Sequence, residues 1–130
     1  MILTSLQLLI GVFFSILFLQ SGLDKVFNFN GNRSYIESVF EKTFLKSSSI
    51  LLFIGIMLLE LAAGLLSAVG SVYYFFTGES MLLLLGLQSS AISLLCLFFG
   101  QRIAKDYAGA GGLVAYFLLA AFGISLFVVR

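Results

Sequence analysis

Glu60 is the residue of this chain with the most chemistry to offer. It stands about 11 residues from either end of a long apolar stretch, which at 1.5 Å per residue puts it near the midplane if that stretch spans a membrane as a helix. A charge at that depth is costly, so the side chain must turn inward to a partner or keep its proton. Counted down from the same end, Gln88 in the third apolar stretch and Tyr116 in the fourth fall close to its level, with Ser89, Ser90 and Ser93 nearby. The expectation is an interior cluster of Glu60, Gln88 and Tyr116. Two readings stand side by side: a proton-handling or quinone-headgroup site, or interhelical hydrogen bonds that fix helix register.

A second polar group gathers where the first and third apolar stretches end: Gln20, Asp24 and Lys25, and then Gln101, Arg102, Lys105 and Asp106. Asp24 is expected to meet Arg102 or Lys105, and Lys25 to meet Asp106. Exposed ion pairs contribute under about 1 kcal/mol, so a stabilising role would require partial burial. This group is either an ordinary basic rim facing the membrane surface or a contact for an anionic ligand or partner.

Other chemistry is excluded by composition. Histidine is absent and Cys96 is the lone cysteine, which removes an internal disulfide, a dithiol redox pair and a Cys/His metal site within one chain. With methionine only at positions 1, 57 and 81, two-histidine haem ligation is excluded and other ligation unsupported. Gly109-Ala110-Gly111-Gly112 is no phosphate loop, because no lysine and Ser/Thr pair follows it. No metal, haem or dithiol motif speaks for an enzyme, and a quinone is the one cofactor left open.

The elements that position these residues follow from composition. Of 130 residues 61% are hydrophobic and 10% charged, with a mean hydropathy of +1.15, whereas a soluble domain is roughly half apolar and about a quarter charged. A domain this small cannot hide that much apolar surface from water. Four stretches are long enough to cross a bilayer: about 3–23, 49–72, 81–99 and 108–129. The short connections at 77–80 and 101–107 make consecutive helices antiparallel neighbours. The fold class is therefore an all-α membrane protein, a four-transmembrane-helix antiparallel bundle forming one domain over 1–130. The first apolar run, lacking a basic start and too long for a signal peptide, reads as a retained span.

Between the first two spans, Ile36, Val39, Phe40 and Phe44 recur at helix spacing among charged residues, predicting a short amphipathic helix. It either lies on the membrane surface or caps the bundle end. Lys25, Arg33, Lys42, Lys46, Arg102 and Lys105 all fall in the first and third connections, leaving Arg130 for the other side. That asymmetry places those connections in the cytoplasm and both termini outside. Net charge of +1 lacks the basic footprint of a nucleic-acid binder. The absence of proline argues for straight helices and against the broken helices of a small-solute carrier. Small residues supply close-packing faces at Gly11 and Ser15, at Ala63, Gly64, Ser67 and Ala68, and at Ala108, Gly111, Gly112 and Ala115. Tyr73 and Tyr74 are expected to form an interfacial belt.

Along essentially its whole length the chain resembles the DoxX family of small four-helix membrane proteins. The resemblance rests on Ser21-Gly22-Leu23-Asp24-Lys25-Val26-Phe27-Asn28-Phe29, on the second-span pattern from Gly55 through Glu60 to Leu66, on Gly100-Gln101-Arg102-Ile103-Ala104-Lys105-Asp106-Tyr107, and on the Gly/Ala-rich start of the last span. It carries over Gly22, Lys25 and Glu60 as pattern positions without a catalytic role. Some members and relatives of that family are associated with quinone-linked sulfur oxidation or membrane oxidoreductase complexes. The paired-cysteine chemistry of bundles related to vitamin K epoxide reductase is ruled out by the lone Cys96. The resulting expectation is an accessory or scaffold subunit of a larger complex in a bacterial inner (plasma) membrane, in contact with lipid and other membrane subunits. The alternative is a quinone-interacting oxidoreductase subunit that uses Glu60 for proton exchange.

Overall fold

The computed structural model describes residues 2–128. Met1, Val129 and Arg130 lie outside the described residues, and with them the end of the expected fourth span and the cation expected beyond it. The elements run α1 (Ile2–Phe27), α2 (Phe29–Val39), a single 3₁₀ turn (Lys46–Ser48), α3 (Ser49–Thr77), α4 (Met81–Ile103) and α5 (Tyr107–Ser125). Among the described residues there is no strand, and α1, α4, α5 and the run from the 3₁₀ turn through α3 are long and apolar enough to cross a membrane. The protein is an all-α bundle of the membrane type.

Three helices run past the limits set by hydropathy, because a helix continues through polar residues until its backbone is stopped. α3 ends at Gly78, whose φ of 80° only glycine adopts freely and whose N–H donates to the Tyr74 carbonyl at 2.9 Å. α4 ends in a Schellman turn: the Asp106 N–H donates to the Gln101 carbonyl at 2.8 Å and the Lys105 N–H to that of Arg102 at 3.1 Å. The left-handed position in that turn is held by Lys105, at φ 62°, where glycine would be unstrained. Asp106 then starts α5 by accepting a hydrogen bond at Oδ1 from the Gly109 N–H at 3.0 Å.

α2 stops at Val39, earlier than the expected pattern. Phe40 closes it and is buried, and its ring lies 3.4 Å from where a Cβ on Gly100 would stand. Phe44 falls in the irregular turn beyond the helix and is 75% exposed. Spacing alone continued the helix to Phe44, but the chain must turn there to enter α3.

α3 is the central rod, packed along α1 on one side and α4 on the other, while α5 leans mainly on α4. Glycines set the contacts. A Cβ on Gly64 would stand 2.8 Å from the Leu19 amide nitrogen of α1, and one on Gly86 would stand 2.6 Å from the Ser67 amide nitrogen of α3. A Cβ on Gly70 would collide with the Leu83 backbone. Lipid competes with side chains for apolar contact on equal terms, so such backbone approaches are what favour helix association in a bilayer. Phe14, Phe18, Leu83, Leu87 and Leu94 fill the space between.

Substituting Gly86 with Leu is expected to force α3 and α4 apart and destabilise the bundle by about 3 kcal/mol. The same change at Gly111, which meets nothing within 4 Å, should leave stability unchanged. Unfolding of the two variants in detergent micelles measures the difference.

Candidate functional site

The α1–α3 crossing determines the surroundings of Glu60. Gly22 sits against Leu61, a Cβ there standing 2.7 Å from the leucine Cδ2, and Gly64 sits against Leu19. With the two backbones this close, the residues flanking Gly22 on one face of α1, Ser21 and Lys25, reach across to Glu60. Lys25 Nζ lies 2.7 Å from Glu60 Oε1. Ser21 Oγ donates to Glu60 Oε2 at 2.8 Å and accepts from Lys25 Nζ at 2.9 Å. The carboxylate side chain is 2% exposed and the lysine 15%.

This is a closed triangle of one anion, one cation and one hydroxyl. Oε1 has no hydrogen-bond donor besides the ammonium, so removing Lys25 would leave the carboxylate buried with only Ser21. Lys25 lies near the end of α1, where a lysine ordinarily extends toward the headgroups. Here its stem runs inward instead. The three positions carried over by the family resemblance, Gly22, Lys25 and Glu60, thus meet at one place: glycine permits the approach and the two charges occupy it.

The expected partners of Glu60 are elsewhere. Gln88 is on an exposed face of α4, and Tyr116 is half-buried with its ring 5.9 Å from that of Phe13. Depth along the helix put all three at one level, but rotation about each axis separates them. Ser90 and Ser93 donate to the carbonyls of Gly86 and Ser89 on their own helix, at 2.8 and 2.9 Å, which satisfies them without a neighbour. An apolar groove of about 750 Å³ beside α3 is lined by Leu59 but not by Glu60, so it offers a quinone headgroup no access to this carboxylate.

The expected rim pairs also fail to form. Asp24 accepts from Asn32 Nδ2 at 3.2 Å, and Asp106 caps α5. Arg102 stacks over the Tyr107 ring at 4.5 Å, and Lys105 and Gln20 are exposed. Among the described residues the ion pairs are Lys25–Glu60 and Arg33–Glu37. Asp24, Arg102 and Asp106 engage residues within eight positions along the chain, and of the rim residues Lys25 is the one that pairs across the bundle.

A second polar centre lies toward the opposite end. Gln7 is fully buried, its Nε2 donates to the Leu126 carbonyl at 3.1 Å, and its Oε1 accepts from the Tyr74 hydroxyl at 2.6 Å. One side chain therefore joins α1, α3 and the end of α5, satisfying a carbonyl that the helix terminus leaves free. Tyr74 is turned into the core, leaving Tyr73, 46% exposed, toward the lipid. The signal for Gln7 was present in its spacing: it shares a face with Ile10, Gly11, Phe14 and Phe18, the buried face of α1.

No family model matches the chain, and neither curated proteins nor solved structures give a match.

Replacing Lys25 with Met is expected to cost about 3 kcal/mol, because it strands Glu60. Converting Glu60 to Leu in the same molecule should recover most of that loss. A double-mutant cycle on unfolding in micelles measures the coupling.

Proposed function

We propose that this protein is an accessory or scaffold subunit of a larger membrane complex, docked through the outward face of α5. The observation that carries this reading is a contrast between glycines. Gly11, Gly22, Gly64, Gly70, Gly86 and Gly123 each lie against a neighbouring helix closely enough that a Cβ would collide. Gly111 and Gly112 meet nothing within 4 Å, and Ala108 and Ala115 beside them are exposed. α5 is also the least enclosed span, with 17% of its apolar window buried against 28–33% in the other three.

A face without side chains gains little from lipid, whose chains pack equally well on leucine. Against another helix it gains backbone proximity, with dispersion contacts and Cα–H···O interactions that bulkier residues would block. The occupant that suits it is a transmembrane helix of a different subunit. The buried Lys25–Glu60 pair then serves the scaffold by setting the register of α1 on α3. The resemblance to the DoxX family fits this reading, and Gly22, Lys25 and Glu60, the positions it carries over, lie at this crossing. In the orientation favoured by the lysines and arginines, α2 and the α4–α5 turn face the cytoplasm of a bacterial inner membrane.

Purified in mild detergent from its native membrane, the protein is expected to run with a second membrane chain. Gly112→Leu should abolish that association while leaving its own unfolding unchanged. A wild-type chain that runs alone, or a Gly112→Leu variant that keeps its companion, overturns the proposal.

A further inference from the structure

A different face of the molecule carries its own site. Between α2, the first half of α3 and the last half of α4 runs a groove of about 750 Å³, within the range of small-molecule pockets. Its walls are almost wholly apolar, with Leu51, Leu52, Leu95 and Phe99 among them. Gly55 forms part of the wall, and a Cβ there would meet nothing within 4 Å. Ile36, Val39 and Phe40 of α2 and its following turn cover the groove at the end where the basic residues gather.

That end is polar and unfinished. Gln101 lines the groove, and its Oε1 is buried with no donor. Lys46 follows the lining residue Leu45, and Arg102 and Lys105 flank the lining residues Gln101 and Ala104. None of these three cations has a carboxylate within ion-pair distance among the described residues. Of the carboxylates near this end, Asp106 lines the groove itself but is engaged as the α5 cap, Asp24 holds Asn32, and Glu41 is exposed in the turn after α2. Lys105 stands at a position whose left-handed backbone favours glycine.

We propose that this groove binds one anionic phospholipid, with an acyl chain along the apolar wall beside Gly55 and the phosphate among Lys46, Arg102 and Lys105. A hydroxyl of a glycerol headgroup would supply the donor that Gln101 Oε1 lacks. Basic pockets between spans recognise anionic headgroups in this way, each cation near the surface adding about a fivefold preference. A neutral isoprenoid would leave Lys46, Lys105 and Gln101 Oε1 without partners, with Arg102 held by the Tyr107 ring alone.

The full-length protein is reconstituted in nanodiscs containing equal phosphatidylglycerol and phosphatidylcholine, extracted, and weighed intact by native mass spectrometry. One phosphatidylglycerol should remain bound in preference to phosphatidylcholine. Combining Lys46→Gln with Lys105→Gly removes two cations while relaxing the Lys105 backbone, and should reduce the preference about twentyfold or more. Gly55→Phe fills the hollow and should eliminate retention of either lipid. Cys96, which lines the groove, supplies a second readout: its alkylation by a maleimide should be slow in the wild type with phosphatidylglycerol and fast in phosphatidylcholine alone. Equal retention of the two lipids, an undiminished preference in the charge variant, or a retained isoprenoid in place of the phospholipid overturns the proposal. Loss of the α5 companion in the Gly112→Leu variant with lipid retention intact would separate this site from the docking face.

Discussion

A buried carboxylate in a medium that cannot solvate it governs how this bundle is put together. The bilayer interior supplies no water to share the charge of Glu60, and the protein answers with the Lys25 ammonium and the Ser21 hydroxyl, both from the same turn of α1. For those side chains to reach, α1 and α3 must cross at nearly backbone distance. Gly22 and Gly64 make that crossing geometrically open. Electrostatics and sterics are therefore one constraint here: enlarge either glycine and the ion pair loses its reach.

The same economy of polar groups repeats toward the other end of the molecule. Gln7 has one donor arm and one acceptor, and it uses them on the Leu126 carbonyl and the Tyr74 hydroxyl. Between the two polar centres, the α1–α3 and α3–α4 contacts are made by small residues: Gly11 against Ser71, Gly70 against Leu83, Gly86 against Ser67. α3 takes part in every one of these glycine contacts. It is the element against which the others are registered, and α5, secured chiefly by α4 and by Gln7, keeps an open face. The difference between a helix bound on two sides and one bound on a single side is what gives α5 a surface to offer.

Two surfaces remain that the bundle does not use for its own cohesion, and they differ in character. The Gly111–Gly112 face is smooth and lacks side chains, a shape that rewards another helix. The groove beside Gly55 is concave and walled by leucine and phenylalanine, and Lys46 and Lys105, next in sequence to its lining residues, have no ion-pair partner among the described residues. The groove is lined mainly by α2, α3 and α4, whereas the open glycine face belongs to α5.

Hydropathy along the chain was enough to determine the solvent, the four spanning helices, their antiparallel order and the need for Glu60 to turn inward. These properties depend on sums over about 20 residues, and such sums survive ignorance of packing. The stops of α3 and α4 were less legible, since they depend on left-handed backbone at Gly78 and Lys105 rather than on polarity. Partner choice lay outside the sequence altogether. Counting residues placed Glu60, Gln88 and Tyr116 at one depth, but a helix has an azimuth as well as a height, and small rotations decide whether a side chain meets lipid or a neighbour. Only the packed bundle sets those rotations, through the glycines that choose which helix comes closest. It gave Glu60 to α1, turned Gln88 outward, and brought Gln7 and Tyr74 together across 67 residues of chain.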